Sequence, residues 1–139
     1  MNEQLLSMIE NYKEKGDFSG EVSVQIIELC ESKLEVAFPN EYREFLQKFG
    51  SGGICGVEVL GIENESYFSV EEATKKFRGL GLPHNYVVIE DVDEFIYCLN
   101  TEQNYNIIRW DEFSKKEVER YNSFDEYLED SFQEAIDNW

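Results

Sequence analysis

Four carboxylates crowd into one short stretch of this chain, at Glu90, Asp91, Asp93 and Glu94. Carboxylates this close together repel one another, so a cation brought near them is bound favourably. The stretch is therefore typical of three kinds of site: a divalent metal loop, a docking point for lysine and arginine side chains of a protein partner, or a solvated turn whose charges discourage aggregation. It lacks the central glycine and distal glutamate of a calcium-binding loop, which disfavours the metal.

A second group of glutamates extends the acidic character around an earlier segment. Whether this group lies beside the first depends on the order of the strands, which the sequence does not determine. We take both groups together as candidate partner-binding residues: Glu58, Glu63, Glu65, Glu90, Asp91, Asp93 and Glu94.

Candidates for catalysis or metal binding are few. His84 is the only histidine and would have to activate any serine or cysteine nucleophile alone. The cysteines Cys30, Cys55 and Cys98 form no Cys-x-x-Cys pair that could hold zinc, and the first and last lie in apolar patterns typical of buried positions. Residues 50–53 lack the lysine of a phosphate-binding loop. We therefore expect no enzyme, no metal and no cofactor.

The elements that position the first acidic group form an antiparallel sheet. Residues 86–90 are apolar at every position but the last, which is typical of a central strand covered on both faces. Residues 95–99 follow after a four-residue connection and complete a hairpin. Residues 107–110 predict a third strand of the same meander, and the charged residues 116–121 predict a fourth strand at the edge. Residues 57–60 predict a separate, earlier strand.

Helices are expected on either side of this sheet. The first runs through Leu5 and Tyr12 to an end near Gly16, and the next three are predicted to begin at Ser23, Pro39 and Ser69. Gly50 is expected to end the third helix. Ser69 and Ser123 each have a glutamate three residues later, as in a capping box. The last helix is predicted to turn Phe124, Leu128, Phe132, Ala135, Ile136 and Trp139 inward and Asp125, Glu129, Asp130 and Asp137 to water. The fold class is α+β, with a central antiparallel meander between N-terminal helices and a C-terminal helix.

Three motifs occur in a recognisable order: Ile-x-x-x-Glu-x-x-Leu at residues 27–34, Pro-x-x-Tyr-x-x-Phe-Leu at 39–46 and Gly-x-Gly-Gly at 50–53. This order resembles the SUKH superfamily, in its SMI/KNR-like branch. The hairpin at 87–101 and the helix start at 123–128 continue the resemblance, which covers roughly residues 24–130. One departure is visible at residues 91–94, because many relatives place a glycine at this hairpin tip.

The resemblance implies a binding module and no enzyme. Bacterial members are frequently immunity proteins that bind and neutralise a secreted polymorphic toxin, often a nuclease. The chain is thus expected to bind a cognate toxin with a basic active-site surface. Eukaryotic relatives act as interaction hubs, so a regulatory protein-interaction scaffold without a toxin partner is the alternative.

Composition predicts one globular domain spanning residues 1–139. Apolar residues make up 42% of the chain and aromatic residues 14%, which is too rich for a disordered protein. No apolar run approaches the length needed to cross a bilayer, and the first residues lack the positive start of a signal peptide. Together with three unpaired cysteines, these features predict a cytoplasmic location.

The net charge of −18 is spread along the whole chain. Residues 1–50 hold ten acids against five bases, residues 51–110 ten against four, and residues 111–139 ten against three. Such a surface repels nucleic acid and anionic lipid, so we expect neither as a direct partner. It attracts basic proteins, although the same acidity also serves solubility alone. We expect a monomer or weak homodimer.

Overall fold

Five helices and four strands make up the protein in a computed structural model that describes residues 1–139. In chain order they are α1 (Glu3–Tyr12), α2 (Val24–Leu34), α3 (Asn40–Phe49), α4 (Ser69–Arg78), β1 (Tyr86–Asp91), β2 (Ile96–Asn100), β3 (Ile107–Trp110), β4 (Glu117–Tyr121) and α5 (Phe124–Asp137). The predicted α+β class is confirmed. None of the five helices has both the length and the apolar composition that crossing a bilayer requires.

The strands form one antiparallel sheet in the order β1-β2-β3-β4, as the meander predicts. The expectation of a central first strand is wrong, because β1 lies at an edge. Its edge is nevertheless covered. The Leu60 amide donates to the Ile89 carbonyl at 2.8 Å, and the Val88 amide donates to the Thr74 hydroxyl at 2.9 Å. These bonds give the outer backbone of β1 partners although the strand has only one neighbour, and its two faces are apolar because Val87 and Ile89 enter one hydrophobic core while Tyr86 and Val88 enter another.

Alternating residues of the sheet enter two separate cores. Val87, Leu99 and Ile107 face the larger core, which α1, α2, α3 and α5 complete. Val88, Cys98, Ile108 and Trp110 face the smaller core, where Phe77 of α4 covers them. The period of two in the strands thus serves both cores at once.

Two of the predicted helix caps are confirmed. The Ser23 hydroxyl accepts a hydrogen bond from the Ile26 amide at 3.3 Å, and the Ser123 hydroxyl accepts one from the Glu126 amide at 3.2 Å. Gly50 ends α3 with a φ of 74°. Pro39 lies one residue ahead of its expected place in the first turn, at the N-cap of α3.

The capping box expected at Ser69 is wrong. Phe68 occupies the N-cap of α4, and Ser69 is the first helical residue. The Ser69 hydroxyl instead accepts from the Gly61 amide at 3.0 Å and donates to Glu63 at 2.6 Å. The Ser69 hydroxyl therefore bonds to Gly61 and Glu63, which are tertiary contacts that a local capping motif does not predict.

Other expectations need correction as well. Residues 57–60 form no strand, and an isolated bridge between Gly52 and Val59 is their only ladder contact. Trp139 follows α5 and is 78% exposed, whereas it was expected in the core. Asp125 is half-buried beside the amino group of Met1 and does not face water. The core position that the helical pattern missed is Tyr127, which is fully buried.

Candidate functional site

A glycine-rich crossing of two segments builds one acidic surface. The Ser19 amide donates to the Ser51 carbonyl at 3.1 Å, which fixes the loop after α1 against residues 50–53. Gly52 makes the crossing possible, because its φ is +111° and an added Cβ would lie 1.9 Å from the Asp17 carbonyl oxygen. The two segments therefore approach as closely as a bare backbone allows.

Two neighbouring depressions flank this crossing and share Glu63. One, of about 300 Å³, is lined by residues that include Asp17, Glu58 and Glu63. The other, of about 290 Å³, is lined by residues that include Glu21, Glu63 and Glu65. We call the two depressions together the acidic groove. The structure thus brings Glu58, Glu63 and Glu65 together and adds Asp17 and Glu21, which lie between the first two predicted helices and are not among the predicted site residues.

Glu63 is the most rigidly held carboxylate of the acidic groove. One oxygen accepts from the Ser69 amide at 2.8 Å, and the other accepts from the Ser69 hydroxyl at 2.6 Å. Because Ser69 begins α4, the carboxylate lies at the N-terminus of that helix, where the helix dipole favours a negative charge. The Glu63 side chain is therefore held in place before any partner arrives.

The second acidic surface is the hairpin tip, residues 91–94, which runs from the last residue of β1 towards the start of β2. Asp91, Asp93 and Glu94 are all exposed. The Asp91 carboxylate accepts from the Asp93 amide at 2.9 Å, and Asp93 has a φ of 73°. An aspartate therefore fills the left-handed position that a glycine would suit best, since aspartate tolerates this conformation and bonds its own backbone.

Glu90 differs from the other three carboxylates of the run. It is half-buried at the end of β1, and it accepts a hydrogen bond from the Tyr127 hydroxyl at 2.6 Å. Burial raises the pKa of Glu90, although the bond from Tyr127 lowers it. The structure therefore separates Glu90 from the hairpin tip and joins it to α5.

No ion pair of the protein involves the acidic groove or the hairpin tip. The paired acids lie elsewhere: Glu10, Glu31, Glu44, Glu71 and Asp125. The two surfaces are also separate, because none of the residues that line the acidic groove belongs to the hairpin tip. Burial raises the pKa of the Cys55 thiol, and the negative charges of Asp17, which lines the acidic groove, and of nearby Glu14 raise it further.

Comparison with known proteins identifies the family. The model of the family SUKH_5, described as SMI1-KNR4 cell-wall, matches residues 2–133. This chain belongs to that family. A crystal structure of a protein from Pseudomonas syringae pv. tomato has a similar fold, with a TM-score of 0.77 at 16% identity over 96% of this chain and 99% of the other.

The first motif shared with SUKH proteins has a structural role here. Glu31, its glutamate, is buried at the end of α2 and accepts from the Phe38 amide at 2.6 Å. It also forms an ion pair with Arg43 of α3, at 3.3 Å. These contacts fix the connection between α2 and α3, beside a depression of about 540 Å³. The glutamate of this motif therefore stabilises the fold and belongs to neither acidic surface.

The residues with catalytic potential are scattered in this SUKH chain. His84 is exposed, and its Nε2 lies 3.3 Å from the Glu35 carbonyl oxygen. Burial raises the pKa of the Cys30 thiol to about 12, and burial also raises the pKa of Cys98. A thiol that stays protonated is a poor nucleophile. No group of three histidine, cysteine, aspartate or glutamate side chains is arranged to hold a metal ion.

Proposed function

We propose that this SUKH protein is an immunity protein that binds and neutralises a cognate secreted polymorphic toxin by protein–protein association. One observation carries the proposal: the carboxylates of the acidic groove and the hairpin tip, most of them exposed, form no ion pair within the protein. A nuclease is the toxin class that this charge fits best, because a protein that grips nucleic acid presents a basic cleft.

Glu58, Glu63 and Glu65 are the proposed contacts in the acidic groove, together with Asp17 and Glu21. Asp91, Asp93 and Glu94 are the proposed contacts at the hairpin tip. A single exposed ion pair contributes only about 0.2–1 kcal/mol, so affinity requires several such pairs acting together. Long-range attraction to a net charge of −18 also speeds the encounter with a basic toxin.

Glu90 has a different proposed role. Since its carboxylate already accepts the Tyr127 hydroxyl, we assign it to holding β1 against α5, and we leave it out of direct contact with the toxin.

In this proposal residues 1–139 act as one domain in the cytoplasm, without a catalytic step, a cofactor or a metal. Neither nucleic acid nor lipid is a direct partner, because the surface charge repels both. The free protein is a monomer or a weak homodimer.

The first test is co-expression with a candidate toxin encoded next to the gene of this protein. Rescue of growth and a purified complex of the two proteins are the expected results. No rescue and no complex would reject the immunity role. A scaffold without a toxin partner would instead bring down several endogenous proteins from a native lysate.

The second test is a salt-dependent affinity measurement on that complex. We expect the double variant E58Q/E65Q to raise the dissociation constant at least about threefold in low salt, because two exposed attractive contacts are lost. Glu63 is left unchanged, because both of its carboxylate oxygens accept hydrogen bonds from Ser69. The matched control E28Q/E102Q removes the same charge at exposed glutamates that line neither acidic surface. Equal losses in the two variants would show that only the total charge matters and that the acidic groove is no contact site.

A further inference from the structure

The two edges of the sheet differ sharply. The edge at β1 is covered through Leu60 and Thr74. At the other edge, β4 pairs only with β3, and no other backbone hydrogen bond reaches residues 117–121. The amides and carbonyls on its outer side are therefore open to another strand.

The outer strand also exposes apolar side chains beside this open backbone. Val118, in the middle of β4, is 53% exposed, and Phe113, in the β3–β4 turn, is 84% exposed. Residues 107–121 hold four acids and four bases, so the net charge of −18 lies entirely outside this hairpin. The charges here do not extend the anionic surface. Their order along β4 determines which strands can pair with it.

The order of those charges is a palindrome centred on Val118. Residues 116–120 read lysine, glutamate, valine, glutamate, arginine. When two copies of a strand pair antiparallel about a two-fold axis perpendicular to the sheet, opposed residues face the same side and their numbers have an even sum. With Val118 on the axis, Glu117 lies opposite Glu119 of the second copy and Lys116 opposite Arg120. With Glu119 on the axis, the two copies of Glu119 oppose each other.

Self-pairing of β4 therefore places like charges in opposition, which is destabilising. Arg120 has no partner across β3, so a bulge begins there, but Glu117, Val118 and Glu119 stay in the regular part of the strand. A strand with the inverse pattern has basic residues opposite Glu117 and Glu119 and acidic residues facing Lys116 and Arg120. It is attracted directly at the two glutamates, which lie in the regular part of β4.

We propose that β4 is a docking edge for an extended segment of a different protein with this inverse charge pattern, and that its palindrome prevents the chain from pairing with itself. Main-chain hydrogen bonds would supply affinity, and the cross-strand charges would select the partner. The edge is separate from the acidic groove, and its test requires no toxin.

The test uses the protein as its own probe. The quadruple variant K116E/E117K/E119R/R120E has the same composition and net charge as the natural chain, but its β4 carries the inverse palindrome. Each protein alone is expected to remain monomeric in sedimentation velocity. An equimolar mixture is expected to form a heterodimer with a dissociation constant at least about tenfold below that of either homodimer, with amide shifts confined to β4.

Half exchanges provide an independent check if the quadruple variant does not fold. K116E/E117K and E119R/R120E each break the palindrome, so each is expected to form a homodimer through β4. Burial and then the neighbouring Glu117 carboxylate raise the pKa of Tyr86, so only E119R/R120E leaves the surroundings of Tyr86 unchanged. The control E14K/K15E exchanges neighbouring charges in an exposed loop and is expected to stay monomeric. A mixture that associates no more than the natural chain alone, or half exchanges that stay monomeric, would overturn the proposal.

Discussion

At the scale of single residues, Glu90 shows how one carboxylate of an acidic run takes a different role. Burial raises its pKa, so the folded protein binds a proton at this site more readily than the unfolded chain does. The favourable contribution of such a group is complete below the pKa of the unfolded chain and is lost as the pH rises through the pKa of the folded protein. Ionised Glu90 therefore lowers stability at neutral pH.

We expect E90Q to stabilise the protein at neutral pH, because glutamine keeps an oxygen that accepts the Tyr127 hydroxyl and carries no charge into the half-buried site. The gain should fade as the pH falls below the usual carboxyl range, where Glu90 of the natural chain is itself protonated. Urea unfolding across this pH range measures it. The control E94Q removes the same charge at the exposed hairpin tip. Equal effects of the two substitutions at neutral pH would show that burial of Glu90 costs nothing.

At the scale of elements, local patterns located the helices and strands, and tertiary contacts decided the exceptions. Helical spacing and serine caps predicted α2 and α5 because a cap and an apolar stripe act within a few residues. Ser69 failed as a cap because its hydroxyl found Gly61 and Glu63. Residues 57–60 have a strand-like pattern but form no strand. Val59 makes an isolated bridge with Gly52, and the Leu60 amide donates to the Ile89 carbonyl.

The crossing of the loop at 17–20 with residues 50–53 leads to a prediction about Gly52. We expect G52A to cost about 3 kcal/mol of unfolding free energy, because a Cβ there meets the Asp17 carbonyl in addition to the strain of a left-handed residue. The control is G16A. Gly16 also has a positive φ, of +90°, but nothing lies within 4 Å of an added Cβ, so strain alone should cost about 1–2 kcal/mol. Chemical unfolding of both variants measures the difference, and equal losses would mean that the crossing relaxes freely.

At the scale of the whole molecule, charge sets both binding and stability. Thirty acids against twelve bases make the folded surface repel itself, since few of the acids are paired. The same unpaired carboxylates are the proposed contacts for a basic toxin. Neutralising them by a partner would relieve this repulsion, so binding and stability are coupled.

Salt is therefore expected to stabilise the free protein. Raising sodium chloride from about 0.02 M to about 0.5 M shortens the screening length several-fold and weakens the self-repulsion. We expect a gain of about 1 kcal/mol, or about 3 °C in the unfolding midpoint for a chain of this size. Calorimetry in sodium chloride and in potassium chloride measures it, and the two salts should act alike. A midpoint that stays constant or falls with salt would contradict the role assigned to repulsion.

The sequence by itself determined the α+β class, the antiparallel meander, the family and the excess of negative charge. These depend on periodicity, capping and motif order, which act along the chain. Only the tertiary structure decided which carboxylates share a surface. Asp17 and Glu21 join Glu58, Glu63 and Glu65 because glycines let two distant segments touch, and Glu90 leaves the hairpin tip because Tyr127 lies beneath it. Likewise, the edge of the sheet at β1 is covered and the edge at β4 is open. The cover of β1 comes from residues distant in sequence, and local periodicity does not predict such contacts.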